Sequence, residues 1–278
     1  MKSKKTILGW IVAILFLAIF VFPLFIPKTS SKATNGGDSS DPVQAIKNRG
    51  ILRVGIKQDV PNFGYLNPDT NAYEGMEIDI ARKIADELGV DIEFTPVTPQ
   101  TRGAVLDNDQ VDIVIATFTI NEERKKLYNF STPYYTDAVG FLVNNDSGIT
   151  SIKDLNGKNI GVAQGSTTRT QIQALAKENN ISVYFTELGS YPELAVALRA
   201  HRIDAFSVDQ SILSGYTSST AHILDFNFAT SEYGIVTKKS NTALNEYVSN
   251  LISQWKTDGT LQKIYAKYNL TPVESTQQ

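Results

Sequence analysis

The sequence predicts an α/β protein of two lobes, with a ligand cleft between them and two hinge strands. Three observations carry that expectation. Strand-like and helix-like segments alternate beyond residue 45, the pattern that builds a mainly parallel sheet. A short internal echo points to two units of similar construction. Leu106…Val111-Asp112 is echoed by Leu198…Ile203-Asp204, and Ile51–Ile56 (ILRVGI) by Lys158–Ala163 (KNIGVA). Two extended segments, Ala138–Val143 and Tyr233–Lys238, are placed to cross between the units as a hinge around a cleft.

The chain has 278 residues, room for one large or two modest domains. Its start reads apart from the rest. Lys2, Lys4 and Lys5 precede an uncharged apolar run from Ile7 to Ile26, about 20 residues, enough to cross a bilayer. The lysines favour an inside N-terminus and an exported remainder. Residues 1–27 are therefore expected to be a membrane anchor, or a signal segment cleaved near Ser31-Lys32-Ala33. Residues 28–44 follow as a flexible tether, because their Gly/Ser-rich composition cannot bury a core.

In the body, Ile51–Ile56 reads as a strand. Met76, Ile80, Ile84 and Leu88 recur as a helical stripe that Gly89 ends. Asp91–Phe94 is a strand, Thr101–Asn108 a short helix and Val111–Thr117 a buried strand. Helices at Leu244–Trp255 and Leu261–Tyr268 are expected to finish the first lobe. The division expected is 45–138 plus 236–270 for lobe 1, 139–235 for lobe 2, and a polar tail at 271–278.

Composition narrows the function. The sequence contains no cysteine, which excludes a disulfide framework and a thiol nucleophile, and only His201 and His222 among histidines. Net charge is −3, and the segment up to residue 41 contributes +3, leaving −6 on residues 42–278. An acidic surface argues against nucleic acid as a partner.

The stretch from Val111 to Tyr135 (VDIVIATFTINEERKKLYNFSTPYY) is the most informative. Thr117 and Thr119 follow a buried run, and Arg124 stands a turn or so beyond. Hydroxyls at a strand end with a forked guanidinium nearby make a cradle for a carboxylate. Other candidate contacts lie in loops that would follow strand ends: Lys57 to Phe63, Thr101-Arg102-Gly103, Gln164 to Thr168, Tyr191-Pro192 and Asp209.

Plainer roles compete for several of these residues. Arg124, followed by Lys125 and Lys126, fits a solvated basic turn. Asp209 fits a cap for a helix at Gln210–Leu213. Arg102 can pair with Asp107 or Glu93, and Tyr134 and Tyr135 suit packing at the hinge. Asp112 and Asp204, at strand entrances, read as structural. Gln164-Gly165-Ser166 lacks the Gly-Lys-Ser/Thr ending of a phosphate loop.

As an ordered set, the buried strand, Thr-x-Thr-x-x-x-x-Arg, Phe-Ser-x-Pro-Tyr, Gln-Gly-Ser-Thr and Arg-Ile-Asp-x-x-x-x-Asp resemble extracellular solute-binding protein family 3. These are the amino-acid receptors of bacterial ABC importers, and the likeness covers residues 45–270. The resemblance implies a type II periplasmic-binding fold. It implies that Arg124 takes the ligand α-carboxylate, with Thr117 and Thr119 ahead of it. It also implies that Ser166 and Thr167 supply second-lobe hydroxyls and that Asp209 takes the α-ammonium. The Thr101–Asn108 segment and Tyr191 resemble the aspartate/glutamate-binding members in particular. Lys57 and Arg102 would meet a side-chain carboxylate, and Phe63 or Tyr65 would cover the aliphatic part.

Aspartate or glutamate is therefore expected ahead of glutamine or asparagine, then other polar amino acids. The implied mechanism is capture by cleft closure and delivery to a membrane permease, with a separate ATPase. No cofactor and no metal are expected, and the protein is expected to act as a monomer. Two alternatives compete: a dehydratase-like enzyme on the same fold, with Asp209 or Glu122 as general acid or base, and a sensory ectodomain.

Overall fold

The computed structural model describes residues 41–274. The anchor or signal expected at residues 1–27, most of the tether and the end of the polar tail lie outside the described residues. Among those described, no helix is long and apolar enough to cross a membrane.

The first lobe opens with helix α1 (Pro42–Arg49), which is capped by the Asp41 side chain. Residues 42–44, expected within the tether, are thus helical. Proline at the first helical position costs no hydrogen bond there, and that outweighed the polar composition. Strand β1 (Ile51–Ile56) follows, then a small antiparallel sheet of β2 (Asp59–Val60), β3 (Gly64–Leu66) and β4 (Tyr73–Glu74). Helix α2 (Met76–Leu88) buries Met76, Ile80, Ile84 and Leu88, the expected stripe. Gly75 begins it at φ 127°, where a Cβ would collide with the Phe63 carbonyl. Next come β5 (Asp91–Pro96), α3 (Arg102–Asp107), β6 (Ile113–Ile115), α4 (Glu122–Leu127) and β7 (Tyr128–Phe130).

The chain then enters the second lobe through the long strand β8 (Tyr135–Asn144). Tyr135–Ala138, expected in lobe 1, already pair within the second sheet. A 3₁₀ turn at Ile152–Leu155 leads to β9 (Asn159–Ala163), α5 (Thr168–Glu178), β10 (Tyr184–Leu188) and α6 (Tyr191–Arg199). Strand β11 (Ala205–Asp209), α7 (Gln210–Ser214), β12 (Ala221–Ile223) and β13 (Ala229–Tyr233) complete it. Strand β14 (Val236–Lys238) returns to the first sheet, and α8 (Thr242–Thr257) and α9 (Thr260–Lys267) pack on lobe 1.

The first sheet has the order β5-β1-β6-β14-β7, with β1 parallel to β5 and β6 and the returning β14 antiparallel. The second runs β10-β9-β11-β8-β12, with β13 also on β8. In both, the parallel strands point their C-terminal ends at the space between the sheets, where open α/β sheets place ligand sites. The expected structural acids behave as such. Asp112 takes Arg49 at 2.5 Å and Arg53 at 2.8 Å, and Asp204 accepts the Asn159 N–H at 2.7 Å.

Candidate functional site

Lobe 1 builds its wall of the cleft on a turn. Strand β6 stops at Ile115 because Thr117 turns into the left-handed region at φ 47°. A buried acid holds that turn: the Thr117 N–H donates to Glu77 Oε1 at 2.6 Å, and the Tyr134 hydroxyl donates to the same oxygen at 2.5 Å. Burial pushes the Glu77 carboxyl up to about 7, against the pull of these two donors and of Lys57 and Arg102.

Two arginines stand on either side of Phe118. Arg102, the first residue of α3, is buried and donates from Nη1 to the Ala116 and Thr117 carbonyls at 2.7 and 2.9 Å. Arg124 is half-buried on α4, which Asn121 caps through the Arg124 N–H. Its Nη1 donates to the Thr119 carbonyl at 2.7 Å, and its Nη2 crosses to the Gly165 carbonyl of lobe 2 at 2.9 Å. The guanidinium carbons lie 4.0 and 4.9 Å from the Phe118 ring centre, within cation–π range. Burial first, and the neighbouring Arg102 second, bring Arg124 down to about 9.

Lobe 2 faces these groups. Thr119, Glu123 and Arg124 line one side of a cavity, and Ser166, Thr167 and Thr230 the other. Asp209 ends β11 and begins α7, but its side chain makes no cap hydrogen bond. Its Oδ1 is buried without a partner, as are Ser166 Oγ, Thr117 Oγ1 and Arg102 Nε. Buried polar atoms are nearly always satisfied, so four such atoms contributed by both lobes mark a place built to meet something polar.

The expected residues divide into groups. Thr119, Arg124, Ser166 and Thr167 line one cavity between the lobes, and Thr117 and Asp209 are buried outside its lining. Arg124 is not a solvated turn, because its fork is occupied by two carbonyls. Arg102 pairs with neither Asp107 nor Glu93; Asp107 accepts the Tyr128 hydroxyl instead. Lys57 is fully buried and forms an ion pair with Asp59 at 2.9 Å, with the Tyr191 ring 4.9 Å from its Nζ. It is not a free cation, and Asp59, a neighbour in the loop it enters, is the acid that sequence reasoning passed over. Tyr191 is buried beneath that lysine from the opposite lobe. Phe63 packs edge-on to Tyr135 and Tyr233, with ring centres 5.3 and 6.0 Å away. Tyr135 is hinge packing, as weighed, whereas Tyr134 also supports Glu77.

Glu77 and Phe118 were missed as well. Glu77 left a signal, since it falls on the line of Ala81, Ile84 and Leu88, an acid on the apolar face of its own helix. Phe118 left a weaker one, an aromatic between the two threonines.

The architecture defines a class. Two α/β lobes, joined by crossing strands around a polar cleft, make a small-molecule receptor with the type II periplasmic-binding fold. The chain belongs to the bacterial extracellular solute-binding proteins, family 3, whose model matches residues 52–271. It is 35% identical over 254 residues to the glutamine-binding protein of Geobacillus stearothermophilus, covering 86% of this chain and 95% of that one. It is 30% identical to the glutamate-binding protein GluB of Corynebacterium glutamicum, covering 85% of this chain and 83% of that one. Among solved structures, an ancestral arginine-binding protein bound to arginine matches with a TM-score of 0.71 and 35% identity, covering 79% of this chain and 98% of that one. The chain is thus an amino-acid solute-binding receptor of an ABC transport system, and the relatives it matches are transport binding proteins rather than enzymes.

Proposed function

We propose that the protein captures glutamate or aspartate outside the cell by closing its two lobes and hands it to a membrane permease driven by a separate ATPase. In this reading Arg124 and the Thr117 and Thr119 hydroxyls hold the α-carboxylate, Ser166 and Thr167 close over it, and Asp209 takes the α-ammonium. Residues 1–27 hold the receptor at the outer face of the membrane, or are removed on export, and it works as a single copy.

The observation that carries the acidic preference is Arg102. The residue is 2% exposed, and its guanidinium touches two carbonyls and leaves Nε without a partner. Among the described residues no ion pair neutralises it. A buried cation lacking a counter-charge costs several kcal/mol, and a ligand carboxylate recovers that. A cationic side chain would meet Arg102 and Lys57 as like charges.

Glutamine is the second reading. Asp59 beside Lys57 presents an acceptor next to a donor, the pair a carboxamide requires, and the glutamine-binding relative agrees. Calorimetric titration of the full chain, stripped of ligand by unfolding and refolding, tests both. L-Glutamate and L-aspartate should bind one to one and more tightly than L-glutamine, L-histidine or L-arginine. Tighter binding of glutamine would keep the receptor and transfer the side-chain role to Asp59. Binding of none would remove the amino-acid reading of this chain.

A further inference from the structure

Lobe 2 places two carboxyls where a single ammonium-binding acid would suffice. Asp209 of β11 stands opposite Val139 of β8, Asp137 lies two positions along β8, and Ser231 of β13 stands opposite Asp137. Opposed residues of an antiparallel pair share a face, as do alternate residues of a strand. Asp137, Asp209, Ser231 and Tyr233 therefore project from the same side of the sheet.

Both acids are buried, with 3% and 6% of their surface exposed. Among the described residues neither takes part in an ion pair. Asp137 accepts the backbone N–H groups of Ala138 at 2.8 Å and Ser211 at 3.1 Å, and the Ser211 side chain also lies close enough to lower its pKa. Asp209 Oδ1, Ser231 Oγ and Tyr233 OH are all buried and make no hydrogen bond. The two hydroxyls lie beside Asp209, close enough to bear on its acidity, yet neither reaches hydrogen-bonding geometry. Three unpartnered polar atoms next to a second acid mark a place that lacks a donor.

The surrounding charges are few. Tyr135 and Tyr233 bring phenols from the hinge strands, both pushed to higher pKa by burial and remaining neutral. Arg102 and Arg124 lie across the cleft within electrostatic range of Asp209, and Tyr191 of lobe 2 lies within the same range. Burial, and then mutual repulsion, raise the Asp137 carboxyl, and burial raises that of Asp209. Two neighbouring buried carboxyls do not both ionise cheaply.

We propose that Asp137 and Asp209 form a two-carboxyl site for the ligand ammonium, which holds one proton before binding and releases it when the ammonium arrives. The inference rests on the amino-acid reading above. The ammonium keeps its own protons; the carboxyl proton passes to solvent, and a pair carrying one negative charge becomes one carrying two. The bound state then holds fewer protons, so affinity rises with pH, by up to about tenfold per unit, between the pKa values of the pair in the free and bound protein.

The test is calorimetry at pH 7 in phosphate and in Tris, whose heats of ionisation differ widely, using the full chain with L-glutamate and with L-glutamine. Both ligands carry the ammonium, so the inference does not depend on which one binds more tightly. The heat should differ between buffers by the amount that release of about one proton per ligand requires. Asp137→Asn should bind with equal heats in the two buffers and lose the pH dependence. Binding to the wild type with equal heats in both buffers overturns this inference and leaves the receptor intact, a result that needs no variant to fold. Release persisting in Asp137→Asn places the proton elsewhere and also overturns it. No binding of any amino acid overturns the receptor reading, and this inference with it.

Discussion

Replacing Glu77 by glutamine isolates the cost of a buried acid that supports the cleft. The carboxyl rises from 4.5 to about 7 on folding. At about 1.4 kcal/mol per pH unit, that is a preference of about 3 kcal/mol for the protonated form in the native state. An acid whose native pKa lies above its unfolded value binds its proton more tightly when folded. Its contribution to stability is therefore complete below about pH 4.5 and is lost as pH climbs through about 7. Glutamine retains an oxygen to accept the Thr117 N–H and the Tyr134 hydroxyl, and it carries no charge. Urea unfolding of both proteins at pH 5, 6, 7 and 8 reads the difference. The advantage of the variant over the wild type should be about 2–3 kcal/mol larger at pH 8 than at pH 5. Asp137 and Asp209 titrate too, but they are common to both proteins and cancel. Parallel pH profiles would refute the argument that Glu77 is held near neutrality.

Three further outcomes follow from the same geometry. Arg124→Ala removes the fork proposed for the α-carboxylate and should cost about 2–5 kcal/mol of binding, read by titration with L-glutamate. Arg102→Ala should weaken glutamate about tenfold more than glutamine, because a hydrogen bond to a charged partner is the stronger one; equal losses would deny Arg102 its side-chain role. Gly165→Ala puts a Cβ 2.8 Å from Gln100 Cα and from the Pro99 carbonyl of the other lobe, at a φ of 75°. Small-angle scattering with saturating ligand should show this variant remaining more extended than the wild type, whereas unchanged compaction would show that the two loops yield.

How much of this was legible in the sequence depends on which interaction decided each feature. The α2 stripe and the alternation of strands and helices were readable because burial imposes a period. The burial of Thr117 and Asp209 was readable because both stand at or just beyond the ends of buried strands. The short β2–β4 sheet was not, since its strands have only two or three residues and are defined by long-range pairing. The extent of β6 was overestimated, because the left-handed turn at Thr117 is stabilised by Glu77, forty positions away in sequence. The partner of Lys57 was not legible, because the sequence does not say which way the loop bends between it and Asp59, two positions on. A charge seen in sequence has no counter-charge until the chain supplies one.

Charge also explains why closure should depend on ligand. Lobe contacts such as Arg124 to the Gly165 carbonyl, the Tyr216 hydroxyl to the Asp59 carbonyl, and Tyr191 beneath Lys57 hold the two sides together. Yet in this arrangement Arg124 is shifted downward and Asp209 upward, and in both cases burial is the largest cause. Each ionised group is therefore less favourable in the shut cleft than in water. Lobes that close on nothing bear both penalties, and a few hydrogen bonds of about 1 kcal/mol each do little more than offset them. In the proposed binding mode a zwitterion brings an anion to Arg124 and a cation to Asp209 at once, so its interaction energy is realised only when both lobes are present around it. That difference in affinity between shut and open forms is the only means by which a ligand can shift the equilibrium. An uncharged isostere of the same shape would touch the same atoms and leave both penalties standing.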